Sequence, residues 1–123
     1  MGANNADFNG ITLHHEIHPG GLDIEAHLNG EPVGSMQLEH SGRVEDINVT
    51  YKHQGKGIAK AMWRHAEMLH KTGQIPNPPA HSDYRTYDGE GFARSVGGHL
   101  PRNTAEWLQD YPKDHPFRSY PND

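Results

Sequence analysis

The chain contains no cysteine. That excludes disulfides, zinc–thiolate sites and a cysteine nucleophile, and it fits a reducing, cytoplasmic setting. No apolar run approaches the roughly 20 residues that a membrane-spanning helix needs. The first ten residues, MGANNADFNG, are polar and do not resemble a signal peptide. No basic stretch of five or more residues occurs, and the net charge is -5 with histidine neutral. Generic nucleic-acid binding and membrane partners are therefore not expected. Hydrophobic residues are scarce as well, at 33%, below the usual share of a globular domain.

What remains is a chain of 123 residues, enough for one domain with a small core. Its 14 glycines and 9 prolines predict many turns. The eleven histidines are scattered, with no HExxH pair and no cysteine to complete a zinc set. No metal site is expected from them.

Residues 1 to 9 read as a disordered leader. Residues 11 to 17 alternate, with Ile11, Leu13 and Ile17 on one face. Residues 22 to 28 alternate most cleanly: Leu22, Ile24, Ala26 and Leu28 inward, Asp23, Glu25 and His27 outward. Asn29-Gly30 is a hairpin dipeptide. Two further strands are predicted over 33–40 and 43–50, the second with Glu45, Ile47 and Val49 on one face. The pattern then changes. Over 57–71, Ile58, Met62, Ala66 and Leu69 fall at helical spacing, flanked by Ala59 and Trp63. Thr72-Gly73 and the proline-rich run 75–79 stop that helix. A short strand over 80–82, a second helix over 87–97 with Thr86 as N-cap, and a helical turn over 104–108 follow. The tail, 111–123, reads as extended. The fold class is α+β: an antiparallel meander, a strand–loop–helix unit, then a short strand and helix.

The junction between the fourth predicted strand and the first helix carries the chemistry. Five residues after Val49 comes Gln54-Gly55-Lys56-Gly57, and the helix starts at once. A helix start offers unpaired N–H groups and the positive end of the dipole, which together bind phosphates. Gly55 and Gly57 let the backbone approach an anion closely, and Lys56 adds a cation. GxxxxGK[ST] is absent, and Gly55-Lys56-Gly57 is followed by Lys60, not by the third glycine of GxGxxG. A turn that merely needs glycine is the plainer reading of the pair alone.

The spacing Gln54, Gly57, Ala59 resembles the Gln/Arg-x-x-Gly-x-Gly/Ala motif of the GNAT acetyltransferase superfamily. Residues 47–53 resemble that family's lead-in, and the likeness extends over about 31–71 and more weakly to about 101. It implies that the backbone N–H groups of Gln54, Gly55, Lys56, Gly57, Ile58 and Ala59 cradle the pyrophosphate of an acyl-CoA. It implies that Ile47, Asn48 and Val49 pair with the pantetheine arm, and that acetyl-CoA is the acyl donor. An acyl-CoA-binding domain would then span 10–101, with 102–123 as a C-terminal extension. By the same resemblance Glu45 stands where family members often place a carboxylate base. The family's acid is a tyrosine four residues before a Gly-Phe pair. Aligning Gly97-Gly98 with that pair puts Ala93 in its place, leaving Tyr84, Tyr87 and Ser82 as substitutes. The family's helices between its first two strands are also missing, since only His18-Pro19-Gly20-Gly21 separates Ile17 from Leu22. This implies an open site for an exposed amine on a large molecule such as a protein, or a site completed in a homodimer. Two alternatives stand beside N-acetyl transfer. One is a non-catalytic acyl-CoA-binding module. The other is an interaction protein whose tail docks through Tyr111, Phe117 and Tyr120.

Overall fold

The computed structural model describes residues 7–8 and 10–120. Most of the expected leader, 1–9, and residues 121–123 of the tail lie outside the described residues. The chain divides into two compact units, Met1–Pro79 and Ala80–Asp123.

The first unit is the meander and its helix. Strands β1 (Asp7–Phe8), β2 (Ile11–His18), β3 (Gly21–Leu28), β4 (Glu31–Glu39) and β5 (Val44–Val49) form one sheet in sequence order. Every neighbouring pair is antiparallel. His18 pairs with Gly21 and Leu28 with Glu31, so two of the hairpins have two-residue loops. In the second, Asn29 and Gly30 sit at φ 53° and 86°, the left-handed pair that an Asn-Gly hairpin turn supplies. The alternation read from β3 holds through Ala26: Leu22, Ile24 and Ala26 are buried, while Leu28, past a register shift at Ala26/His27, is half-buried. Together with Ile11, Leu13, Met36 and Leu38 they give the sheet one apolar face.

Helix α1 (Ile58–Lys71) covers that face. Its stripe of Ile58, Met62, Ala66 and Leu69 is buried, and Trp63 is too. Gly34 on β4 lets it approach. A Cβ there would lie 3.2 Å from Ile58 Cγ2, 3.3 Å from Met62 Cε and 3.2 Å from the Asn48 carbonyl oxygen. The helix stops where Thr72 turns back, its hydroxyl donating to the Met68 carbonyl at 2.9 Å. Asn77 then ties the proline run to the end of β4, donating to the His40 carbonyl at 3.0 Å.

The expected short strand over 80–82 reduces to a single bridge residue, Ala80. Pro76, Pro78 and Pro79 lead into it without N–H donors, so a ladder has little to build on. In the second unit, α2 (Tyr87–Val96) starts where predicted, with Thr86 Oγ1 accepting from the Gly89 N–H at 3.0 Å. The next turn is 3₁₀ and runs over Glu106–Asp110 rather than 104–108. Thr104 is held outside it because its N–H and hydroxyl both donate to the Asp83 carbonyl, at 2.7 and 3.0 Å. The tail is not wholly extended: Pro116–Arg118 form another 3₁₀ turn, capped by His115 Nδ1.

The centre of this unit is polar. The Glu90 carboxylate has no exposed surface and accepts from Arg85 Nε (2.8 Å), Arg94 Nε (2.7 Å) and Asn103 Nδ2 (3.0 Å). Arg85 also donates to the carbonyls of Ser82 and Pro101. An apolar cluster of Ala93, Leu100 and Tyr120 completes the centre.

Candidate functional site

The anion loop begins where β5 ends. Thr50 makes the last sheet bond, donating to the Val33 carbonyl at 2.9 Å. A single 3₁₀ turn, Tyr51–His53, then lifts the chain off the sheet. Two residues outside the motif shape that turn: Thr50 Oγ1 and His53 Nδ1 lie 2.7 Å apart, and the His53 N–H donates to the Thr50 carbonyl at 2.9 Å. A threonine three residues before a ring nitrogen is the signal that would have marked them.

Gly55 and Gly57 follow at φ 77° and 83°. Both are left-handed, where a Cβ is strained, so the backbone itself favours glycine at both positions. Gly57 is the N-cap of α1, and no side chain caps the helix. No acidic residue stands in its first turn either. The first helical bond is Ala61 N–H to the Gly57 carbonyl, 2.9 Å. Among the described residues, the N–H groups of Ile58, Ala59 and Lys60 thus have no protein acceptor. They open onto an exposed loop, Gln54 to Gly57, flanked by exposed Lys56 and Lys60. Free donors, the dipole's positive end and two cations make this an electropositive cradle.

The strand leading to it is an outer strand of the sheet. Because Thr50 bonds inward to β4, Ile47 and Val49 turn their backbone groups away from β4. Gln54 Nε2 caps one of them, donating to the Val49 carbonyl at 3.1 Å. Apart from that carbonyl, the outer edge of β5 pairs with no further strand of the sheet among the described residues, so an extended ligand could pair with it.

The catalytic candidates fare differently. Glu45 is exposed, but it does not share the alternation of Ile47 and Val49 as the sequence pattern suggested. Leu38 pairs with Val44 and Gln37 with Asp46, leaving Glu45 as the extra residue of a β-bulge. Tyr84, Tyr87 and Ser82 belong to the second unit. The Tyr84 hydroxyl points at Glu106 Oε1, 3.4 Å away, and 57% of the residue is exposed. Tyr87 packs against Trp107, Tyr111 and Phe117. Ser82 Oγ accepts from the Tyr84 N–H at 3.1 Å. Ala93 is buried in the unit's apolar cluster. Among the described residues no group of three or more His, Asp or Glu is placed to hold a metal ion, and no helix is long and apolar enough to cross a membrane.

Two solved structures resemble this fold. One is a ribosomal-protein-alanine N-acetyltransferase from Brucella melitensis biovar Abortus 2308, with TM-score 0.55 and 20% identity over 64% of this chain and 62% of that one. The other is an aminoglycoside acetyltransferase from an uncultured soil metagenomic sample, with TM-score 0.57 and 15% identity over 68% and 62%. The chain has a GNAT-like fold. It spans about 62% of the length of each of these two structures. No protein-family model matches the chain, and no curated protein matches it. Within the GNAT-like fold, the two-residue loop between β2 and β3 leaves no room for helices there.

Proposed function

We propose that this protein is an acyl-CoA-dependent N-acyltransferase that moves an acetyl group from acetyl-CoA to a primary amine. The observation that carries the reading is the uncapped start of α1, with its free N–H groups and two flanking lysines, set at the end of an outer strand in a GNAT-like fold. The diphosphate would lie on the N–H groups of residues 54–59, and the pantetheine arm would run along Ile47, Asn48 and Val49. Acetyl-CoA supplies the activated thioester. The acceptor amine must lose a proton before attack, a role open to the exposed Glu45 directly or through water. The new C–N bond forms as the C–S bond breaks, and the leaving thiolate takes a proton, for which Tyr84 or Tyr87 is the candidate donor. The short β2–β3 loop favours an amine carried on a large molecule, or a site completed by a second copy of the chain. A domain spanning 10–101 and a cytoplasmic setting, which the lack of cysteine suits, belong to the same reading.

Calorimetric titration with acetyl-CoA tests it. Gly57→Glu places a carboxylate where the diphosphate would sit and should abolish measurable binding. Gly57→Asn tolerates the left-handed backbone and should retain it. Absence of binding by the unaltered chain at millimolar acetyl-CoA would sink the proposal. Ala93, buried and without a hydroxyl at the family's acid position, favours one other reading, a non-catalytic acyl-CoA-binding module. Thermal stabilisation by acetyl-CoA with no CoA release across a broad amine screen would select that reading.

A further inference from the structure

The second unit carries an open aromatic groove. It has a volume of about 510 Å³ and is lined by Tyr84, Thr86, Tyr87, Trp107, Asp110 and Tyr111. Tyr84 and Tyr87 are 57% and 49% exposed. The rings form a cluster: Tyr87 and Trp107 have centroids 5.8 Å apart at 55°, Trp107 and Tyr111 5.8 Å apart at 89°. They are also anchored. Trp107 Nε1 donates to the Arg85 carbonyl at 2.9 Å. Arg118 Nη1 holds the Tyr111 carbonyl at 2.9 Å. Tyr87 is the first residue of a helix capped by Thr86.

Of the six residues that line the groove, the one that carries a charge is a carboxylate. Asp110 lines it, and Glu106, which faces the Tyr84 hydroxyl, is four residues away on the same 3₁₀ turn. Elsewhere in this unit the aromatic faces already carry cations: Arg94 lies over Phe117 and Tyr120, at 5.4 and 5.3 Å, and Arg102 over Tyr120 at 4.8 Å. Among the described residues, no lysine or arginine lies over Tyr87, Trp107 or Tyr111.

We propose that this groove binds an alkylated ammonium ion. Electron-rich ring faces and a carboxylate at one rim attract a cation and repel an anion. A neutral apolar ligand would desolvate Asp110 with nothing to replace its water. Trp107 stands at 55° to Tyr87 and 89° to Tyr111, while those two lie at 34° to each other; walls in more than one direction suit a tetrahedral ammonium with its alkyl groups better than a flat guanidinium.

Choline and its uncharged isostere 3,3-dimethylbutan-1-ol separate charge from shape. Each is titrated into the intact protein at matched ionic strength while the indole N–H resonance of Trp107 is followed by NMR. The expected result is a saturable shift with choline and none with the alcohol. Asp110→Asn should weaken choline binding about threefold or more, the size of an exposed cation contact. Three results would overturn the proposal: no shift at tens of millimolar choline, an equal response to the alcohol, or undiminished choline binding by Asp110→Asn.

Discussion

Glu90 has no exposed surface, yet it carries a carboxylate. Burial of a lone charge is costly, so the residue is tolerable only because two guanidinium groups and the Asn103 amide surround it. Removing one side of such an arrangement leaves the other charge stranded. Glu90→Ala would leave Arg85, 6% exposed, without its carboxylate. We expect a loss of about 3–5 kcal/mol, measured by urea unfolding followed at Trp107, whose indole hangs on the Arg85 carbonyl. Only a fragment of this network is legible in the sequence. Glu90 and Arg94 are four apart on a helix, a spacing that pairs charges. Asn103 lies 13 residues from Glu90 and 18 from Arg85, and no local rule brings them together. The left-handed glycines of the anion loop contrast with this, since a helix start announces its glycines one residue at a time.

At the scale of elements, period two and period 3.6 marked the four long strands and both helices to within a few residues. They are blind to a bulge. One extra residue, Glu45, breaks the alternation of β5, because pairing with Leu38 and Gln37 resumes out of step. The approach of α1 to the sheet is equally hidden, since a glycine in a strand reads as weakness until its neighbour is known. Gly34 faces Ile58 and Met62 at distances that a Cβ would already crowd. Gly34→Val should therefore push α1 off β4 and cost about 1–3 kcal/mol by overpacking, seen as a lowered thermal midpoint. Gly34→Ala should cost less than Gly34→Val. Because α1 also presents the anion loop, Gly34→Val should weaken acetyl-CoA binding beyond its effect on stability if the helix start is the diphosphate cradle.

For the whole molecule, composition foretold a small core and left its partition unread: the run Pro76 to Pro79 reads as a helix stop, and it is also where the first unit ends. Both units share one acid-sensitive trait. In the first, His65 on α1 is 6% exposed and its Nε2 lies 3.0 Å from Nδ1 of His15 on β2. One ring donates and the other accepts, so full protonation would set two donors face to face. Desolvation lowers the pKa of both, and the neighbouring ring lowers His65 further. In the second, burial lowers His81 despite its contact with the Gly97 carbonyl at 2.8 Å. Unfolded, such rings titrate near 6.5; folded, they titrate lower. Between those values the unfolded chain holds more protons, so stability is complete above pH 6.5 and falls as acid is added, until the folded rings also protonate. We expect the thermal midpoint to drop as pH falls below about 6.5 and the drop to shrink in His65→Leu, which removes one titrating ring and the facing pair together. An unchanged pH slope in His65→Leu would show that the acid sensitivity arises elsewhere. His81→Leu should reduce the slope as well, because it removes a second ring whose pKa burial lowers.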